Sequence, residues 1–339
     1  MWRKIARVSG YMFAVALVIA YMCCASNLAR KHRANQRVEK IIISLPDNSD
    51  MLNFTSAAEI IQDLEQNGFK VNNSSIGSID AAAISKHIAR LGYVKDVNAY
   101  VTYKGELYID VRQHKPVLRL LSGGLNSYVS ADGHIFRVPE QSVCYTPVVT
   151  GSYQPLFPCD YEGKVSNYYS ELIGKEERAI TELDNKLSAL NKKKKKVLEK
   201  LSKAGRSKVD KYRDQLASLS SQEEALQEEK QKFENRKKKL QKKRTDFANL
   251  TNFVSEVGKD SFWSAEIVQC VADTTNTGEI SLSLIPRSGD FVITFGTLDN
   301  RTEKLAKLRK FYDKGLAHVG WNRYKTVDVR YDKQIICKE

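Results

Sequence analysis

One stretch decides the fold of the first module: IDAAAISKHIARLGYVKDVNAYVTYKGELYIDVRQ, residues 79–113. Its first part places Ile84 and Ile88 on one helical face, and Gly92 follows as a stop signal. Its second part contains two runs in which apolar and polar residues alternate, separated by a turn at Gly105. The stretch therefore predicts a short helix followed by a β-hairpin.

The residues before this stretch add one strand and one helix. Residues 38–44 are rich in β-branched side chains and predict a strand. Ser56 and Glu59 fit a capping box at the start of a helix, and Gly68 is placed to end it. The order strand, helix, helix, strand, strand predicts a compact α+β module over residues 38–114, with two small helices covering a three-stranded sheet.

After this module the pattern changes to short strands separated by turns. These strands stop abruptly at Gly151, and β structure resumes only at Ile267. The early strands need the later ones to complete a sheet. We therefore expect one β domain in two parts, residues 115–164 and 251–339.

Between the two parts lies a segment, residues 165–250, with the heptad spacing of long helices. The apolar heptad residues are Ile180, Leu183, Leu187, Leu190, Val197, Leu201, Tyr212, Leu219, Leu226, Phe233, Leu240 and Phe247. Charged residues take alternate core positions of the second arm (Glu223, Lys230, Lys237 and Arg244), which predicts a weak seam. We predict a coiled-coil-like helical hairpin that turns near Gly205, with a helix extending towards Val257 as the alternative.

The N-terminal residues predict a single membrane anchor. Residues 8–26 contain no charge and no proline, and as a helix they would span about 28 Å, close to the hydrocarbon thickness of a bilayer. We predict a transmembrane helix over residues 8–27, between a cytoplasmic head (1–7) and a polar tether (28–37). Basic residues flank both sides and do not set the orientation. The short head favours export of the C-terminal side.

The positive charge of the chain is concentrated in the heptad segment. Residues 164–244 contain 24 basic and 13 acidic residues, a net charge of +11 out of +14 for all 339 residues. A solvated helix face is the expected explanation, with contact to anionic lipid headgroups or wall polymers as the alternative. We expect no nucleic-acid partner, because basicity is a property of one segment.

Sequence motifs for chemistry are missing. The five histidines lie far apart, and no nucleophile elbow, phosphate loop or zinc motif is present. We therefore predict no catalytic or metal-binding residue, no cofactor and no small-molecule substrate. Asp328, Arg330 and Asp332 alternate and predict a surface ion-pair ladder. Among the six cysteines, Cys144 and Cys159 are the nearest pair for a disulfide, with buried free thiols as the alternative.

The order of these elements resembles that of the FtsQ/DivIB family of bacterial cell-division proteins. VEKIIIS, the stretch quoted first and LYIDVRQHKPVLRL resemble a POTRA domain. KPVLRL, SYVSADGHIF and PVVTG resemble the family's junction between POTRA and β domains. FWSAEIVQ, LSLIPRSGDFVITFG and KLAKLRKFYDKGLAHVGWNRYKTVDVRYDKQIICK resemble its C-terminal part. Residues 169–245 depart from the family pattern, so no family role is carried onto them.

This resemblance implies a non-catalytic divisome scaffold that links early and late division proteins. It implies a single-pass protein of the bacterial inner membrane at the septum, with its N-terminus in the cytoplasm and its bulk in the periplasm. It also implies recruitment of other divisome proteins through the POTRA domain. FtsB/FtsL would dock at the last strand, and septal peptidoglycan synthesis would thereby be controlled.

In this sequence the docking strand maps to Lys333, Gln334, Ile335, Ile336 and Cys337, with Tyr331 before it. A C-terminal strand can lie at a sheet edge and accept a partner strand through its free backbone groups. Alternation would place Tyr331 and Ile335 on one side and Gln334 and Ile336 on the other. The competing explanation is that the isoleucines pack inward.

Two other functions fit parts of the sequence. A periplasmic adaptor of an export pump also combines an anchor, β domains and a helical hairpin. It would need similar half-motifs on both sides of the hairpin, and YQPLFPCDYEG does not resemble FWSAEIVQC. An envelope hydrolase would need a nucleophile and a base brought together by the fold, which an activity screen of the exported part would test.

Overall fold

The structure, a computed structural model, describes residues 2–45, 54–139, 144–321 and 323–339, with the backbone alone given for residues 2–15 and 317. The chain forms two compact units. The first comprises residues 1–114 and 139–144, and the second comprises residues 115–138 and 145–339.

The first unit begins with a long helix, α1 (Trp2–Asn35). In the part of the chain that the structure describes, no helix is both long enough and apolar enough to cross a membrane. The predicted transmembrane helix over residues 8–27 is therefore not confirmed. Residues 28–35 of the predicted tether continue this helix; they include Ala29, Arg30 and Lys31, which favour helix. The first residue of the predicted head lies outside the described residues.

The rest of this unit has the predicted order of strands and helices. Its elements are β1 (Lys40–Ser44), α2 (Ala57–Gln66), a 3₁₀ turn (Ile76–Ser78), α3 (Ala81–Ile88), β2 (Val94–Val101) and β3 (Glu106–Gln113). The central strand is β3, with β1 parallel on one side and β2 antiparallel on the other. Ile60 and Leu64 of α2, Ile84 and Ile88 of α3 and alternate residues of β3 form the buried core.

Both short helices start at the caps that the sequence indicates. The Ser56 hydroxyl accepts a hydrogen bond from the Glu59 amide, and the Ser56 amide donates to the Glu59 carboxylate at 2.8 Å. This backbone hydrogen bond is the main reason that the pKa of Glu59 is lowered. The Asp80 carboxylate accepts from the Ala83 amide at 2.9 Å and caps α3. Local side-chain chemistry thus determines where these helices begin.

The second unit contains one ten-stranded sheet. Its strands are β4 (Pro116–Ser122), β5 (Leu125–Ser130), β6 (His134–Arg137), β7 (Val148–Thr150), β8 (Gly163–Lys164), β9 (Ile267–Thr274), β10 (Ile280–Pro286), β11 (Val292–Gly296), β12 (Thr326–Asp328) and β13 (Ile336–Lys338). The order across the sheet is β13-β12-β11-β10-β9-β7-β4-β5-β6-β8. The helices are α4 (Val165–Ser202), α5 (Arg206–Lys259), α6 (Trp263–Glu266), α7 (Arg301–Lys310), a π-helical turn (Phe311–Leu316) and α8 (Ala317–Val319).

Strand β7 joins the two halves of this sheet, because it pairs in parallel with both β4 and β9. Gly151 directly follows β7 and has φ +109°. A Cβ atom at this position would lie 2.2 Å from the Ala272 carbonyl oxygen. Only glycine permits this close approach. The next residue, Ser152, donates from its amide and hydroxyl to Asp273 at 2.9 and 2.8 Å. The early and late strands therefore share one sheet.

Helices α4 and α5 form a hairpin that turns at residues 203–205. Tyr169 and Ile173 at the start of α4, and Phe253 and Val254 near the end of α5, are buried in the core of the β domain. The predicted end of this segment at residue 250 is wrong, because α5 continues to Lys259. Both alternatives left open by the heptads hold at once: the chain turns near Gly205, and the second helix extends past Val257.

Three of the four charged positions in the seam of the hairpin, Glu223, Lys230 and Lys237, form ion pairs between the two helices. Three positively charged ammonium groups pair across it: Lys194 with Glu223 at 2.8 Å, Lys230 with Asp184 at 2.6 Å, and Lys237 with Glu177 at 2.8 Å. Two of these pairs are spaced one heptad apart on both helices. The pairs favour one antiparallel register, since a shift would place charges opposite apolar residues or like charges.

Five cysteines have free thiols in the structure: Cys23, Cys24, Cys159, Cys270 and Cys337. The candidate disulfide between Cys144 and Cys159 is therefore not formed. Burial raises the pKa of the Cys270 thiol to about 12, so this group stays protonated and packs as an apolar side chain.

We expect the register of the hairpin to depend on charge order across the seam. Exchanging one partner, Lys230→Asp or Asp184→Lys, places like charges together and should lower the melting temperature of the helical signal in circular dichroism. The double exchange should restore most of the loss. Glu171 and Lys175 pair within α4 alone and provide the matched control. Equal losses for Lys230→Asp and Lys175→Asp would contradict a role in register.

Candidate functional site at the C-terminal sheet edge

The last strand of the chain lies at one edge of the ten-stranded sheet. β13 pairs antiparallel with β12, and the Cα partners are Thr326 with Lys338, Val327 with Cys337, and Asp328 with Ile336. Within the described ranges, no strand pairs with its other side. An edge of this kind presents backbone donors and acceptors that a further strand can use.

Side chains alternate along this edge between the core and the solvent. Ile335 and Cys337 are half-buried and pack against the core of the β domain. Ile336 is 36% exposed, and Lys338 is also exposed. Burial raises the pKa of the Cys337 thiol, which is consistent with an inward position. One large apolar side chain, Ile336, therefore faces outward on the edge strand.

The predicted strand over Lys333–Cys337 is wrong in its bounds. Lys333 has φ +57°, in the left-handed region, and belongs to a turn that returns the chain from β12. Gln334 and Ile335 precede the ladder, which begins at Ile336. Tyr331, Lys333 and Gln334 lie exposed on the connection. The structure thus brings the six predicted residues to one edge. Only two of the six, Ile336 and Cys337, lie in the strand itself.

The connection between β12 and β13 is held by charged side chains. Lys307 of α7 donates from Nζ to the Val329 carbonyl oxygen at 2.9 Å and also to that of Tyr331. Arg330 donates to Asp328 from Nε at 3.0 Å and from Nη2 at 2.6 Å, but Asp332 forms no ion pair among the described residues, so the predicted ladder is reduced to this one pair. These side-chain hydrogen bonds are the main cause of the lowered pKa of Asp328. The edge strand is therefore attached to a well-anchored turn.

A second lysine of α7 lies beneath this region. Lys304 is buried, donates to the Thr297 carbonyl oxygen at 2.8 Å and lies 5.3 Å above the Phe295 ring. Its burial lowers the pKa of the ammonium group. Sequence reasoning missed Lys304 and Lys307, because lysines in a helix ordinarily face solvent. A hint was available in their spacing of three residues, which places both on one helical face.

A cleft of about 560 Å³ opens between α7 and the connection. Its charged lining residues are Asp299, Glu303, Lys304, Lys307, Lys310, Arg330, Asp332 and Lys333. The mixed charge suits a polar peptide segment better than an apolar small molecule. Within the residues described, no cluster of three or more His, Cys, Asp or Glu side chains could hold a metal ion.

A buried carboxylate anchors the helical segment behind the edge. Glu266 accepts from the Tyr312 hydroxyl at 3.1 Å and from the Ser288 amide at 3.3 Å. Burial, followed by the nearby Glu266 charge, raises the pKa of the Tyr312 hydroxyl far above its ordinary range. The π-helical turn that carries Tyr312 is thereby joined to the end of β10.

Two family models match separate parts of the chain. Residues 36–112 match the POTRA-like domain family, and residues 229–338 match the family described as FtsQ/DivIB, C-terminal related. The first match spans β1 to β3. The second runs from α5 through β13 and ends at Lys338, the last residue of the edge strand. A search of curated proteins finds no match to the chain.

We expect the Asp328–Arg330 pair to stabilise the β domain only while Asp328 is ionised. Because folding lowers the pKa of Asp328, its contribution is fully present above the unfolded-state pKa and is lost as the pH falls through the folded-state pKa. Asp328→Asn should cost about 0.5–1 kcal/mol at pH 7, since the pair is partly exposed. Urea unfolding should show this difference shrinking below about pH 4. A difference independent of pH would contradict the assignment.

Proposed function

The chain is an FtsQ/DivIB-like protein with a POTRA-like module, and we propose that it is a non-catalytic scaffold of the bacterial division machinery. The two family matches suggest a cell-division scaffold. The scaffold links early and late division proteins and contributes to the control of septal peptidoglycan synthesis by holding its partners together.

The proposed docking surface is the edge formed by β13, where bitopic proteins of the FtsB/FtsL type add a strand. The observation that carries this proposal is that β13 is the outermost strand at one edge of the sheet. It pairs only with β12 in the part of the chain described. A partner strand would gain backbone hydrogen bonds along this side. Ile336 would supply an apolar contact, and Tyr331, Lys333 and Gln334 would contribute from the adjoining turn.

The anchored turn supports such docking for an energetic reason. Lys307 and the Asp328–Arg330 pair hold the backbone of residues 328–331, which leads into the turn. A preformed edge loses less conformational freedom on binding than a disordered tail would. The ordering of the chain end therefore offsets less of the free energy gained when a partner strand binds.

The POTRA-like module and α1, both in the first unit, have separate roles in this proposal. The POTRA-like module recruits other divisome proteins. The uncharged stretch of α1 anchors the chain once in the inner membrane at the septum, with the N-terminus in the cytoplasm and the bulk in the periplasm. The support is the absence of charge over residues 8–26 and the family match of residues 36–112 directly after α1.

The pump-adaptor alternative is less well supported by the topology. The hairpin is preceded by β8, at one end of the sheet, and is followed by β9, in the middle. Flanking segments in such different positions do not form the two similar half-motifs that an adaptor requires.

Ile336→Lys should weaken binding of the FtsB/FtsL-type partner by about tenfold or more, since a charge would be desolvated in the docked edge. The melting temperature should stay nearly unchanged, because Ile336 is exposed. Co-purification from membranes and titration with the partner's soluble domain measure the first effect.

Leu121→Lys is the matched control, since Leu121 is 46% exposed on β4, away from this edge in the strand order. It should bind normally. Equal loss in both variants would indicate a nonspecific charge effect. Loss of stability together with binding in Ile336→Lys would indicate a core role instead of docking.

The anchor is tested by fractionation. The full chain should stay in the membrane after alkaline extraction, and a chain starting at Gln36 should be released. A C-terminal tag on the full chain should be digested when protease is added to spheroplasts. Protection of that tag, with digestion after lysis, would place the β domain in the cytoplasm and overturn the proposed topology.

A further inference from the structure

We propose that the base of the helical hairpin binds a small ligand that carries one or two phosphate groups. The site is a cleft of about 720 Å³, within the roughly 300–1,000 Å³ range typical of small-molecule pockets. Its walls are α5, the loop of residues 152–156 after β7, and the turn between β9 and β10. The proposal is independent of the docking edge, since none of the edge residues lines this cleft.

Four lysines of α5 give the cleft its charge: Lys238, Lys239, Lys242 and Lys243. Their spacing places two pairs on successive turns of one helical side. The cleft contains a single lining carboxylate, Asp246. A second carboxylate, that of Glu279, follows the lining Gly278 and acts on Asp246. Four ammonium groups against these two carboxylates leave a local excess of positive charge, which a concave surface focuses on an anion.

These lysines differ from the lysines that hold the hairpin together. Lys194, Lys230 and Lys237 each pair with a carboxylate across the seam. None of the four cleft lysines forms an ion pair within the described ranges of the chain. Their charge is therefore available to a ligand. A solvated helix face would explain unpaired lysines on a convex surface, but these four converge on a cavity.

The fold also positions one of these lysines. The Lys243 ammonium group lies 5.3 Å above the ring of the buried Tyr153 and donates to the Gln154 carbonyl oxygen at 3.4 Å. Tyr153 and Gln154 follow directly after the join at Gly151, so their backbone is held by the sheet. Lys243 is thus more ordered than a free surface lysine, which reduces the entropy lost when an anion binds.

The uncharged lining indicates what accompanies the phosphate. Pro155 and Leu156 provide apolar surface, and Ser152, Thr274 and Thr277 provide hydroxyl groups. A phosphate ester with a partly apolar or sugar-like body matches this combination better than an inorganic anion alone. Either a soluble phosphate ester or the phosphate headgroup of a lipid carries this chemistry.

Asp246 places a negatively charged carboxylate, which has the same sign of charge as the phosphate, in the site. Its burial raises the pKa of the carboxyl group, and the positive charges of Lys242 and Lys243 act in the opposite direction with smaller effect. An ionised Asp246 repels a phosphate. Removal of this charge should therefore strengthen binding, whereas removal of lysine charge should weaken it.

The experiment titrates the full-length chain in detergent with inorganic pyrophosphate by calorimetry. The double variant Lys239→Gln/Lys242→Gln should bind about tenfold or more weakly, and Asp246→Asn should bind severalfold more tightly. Lys208→Gln/Lys211→Gln is the matched control: it removes the same charge from exposed positions of the same helix and should bind as the unaltered chain does. Circular dichroism confirms that every variant is folded.

Vesicles distinguish the two sources of the phosphate. Displacement of pyrophosphate by vesicles containing phosphatidate, but not by zwitterionic vesicles, assigns the site to a lipid headgroup. Failure of both to displace it assigns the site to a soluble phosphate ester. Absence of pyrophosphate binding, or equal loss in the cleft and control variants, would overturn the proposal and leave the docking edge unaffected.

Discussion

The parallel pairing of β7 with β4 and β9 is the constraint on which the second unit depends. Three residues, Val148–Thr150, connect β4, which precedes the helical hairpin in the sequence, with β9, which follows it. The contact between Gly151 and Ala272 closes the join, and no other residue type fits there. Without this pairing, β4, β5, β6 and β8 would form one sheet and β9 to β13 another.

Insertion of the hairpin at this point is energetically acceptable. Loop closure costs grow only slowly with the length of an insertion, and two antiparallel helices bring the chain back to the β domain. The ends of α4 and α5 also supply core residues, among them Tyr169 and Phe253. The inserted segment therefore stabilises the sheet that it interrupts.

The same helix, α5, contributes to three different surfaces. Its middle carries the lysines that pair across the seam, the following turns line the basic cleft, and its last turns are buried against the sheet. Net charge alone could not separate these roles, since lysines occur in all three parts of the helix. What distinguishes them is whether a carboxylate, a cavity or an apolar surface lies opposite.

Sequence by itself determined the features that depend on neighbouring residues. The caps at Ser56 and Asp80, the order of strands and helices in the first unit and the hairpin turn near Gly205 follow from hydrogen bonds and periodicity within a few residues. Tertiary structure alone decided the bounds of β13, the continuation of α5, the burial of Lys304 and the position of the basic cleft. These features depend on which distant segments meet. Packing against a distant segment overrides local preference, because the free energy gained by burying apolar surface exceeds the helix or strand propensity of a single residue.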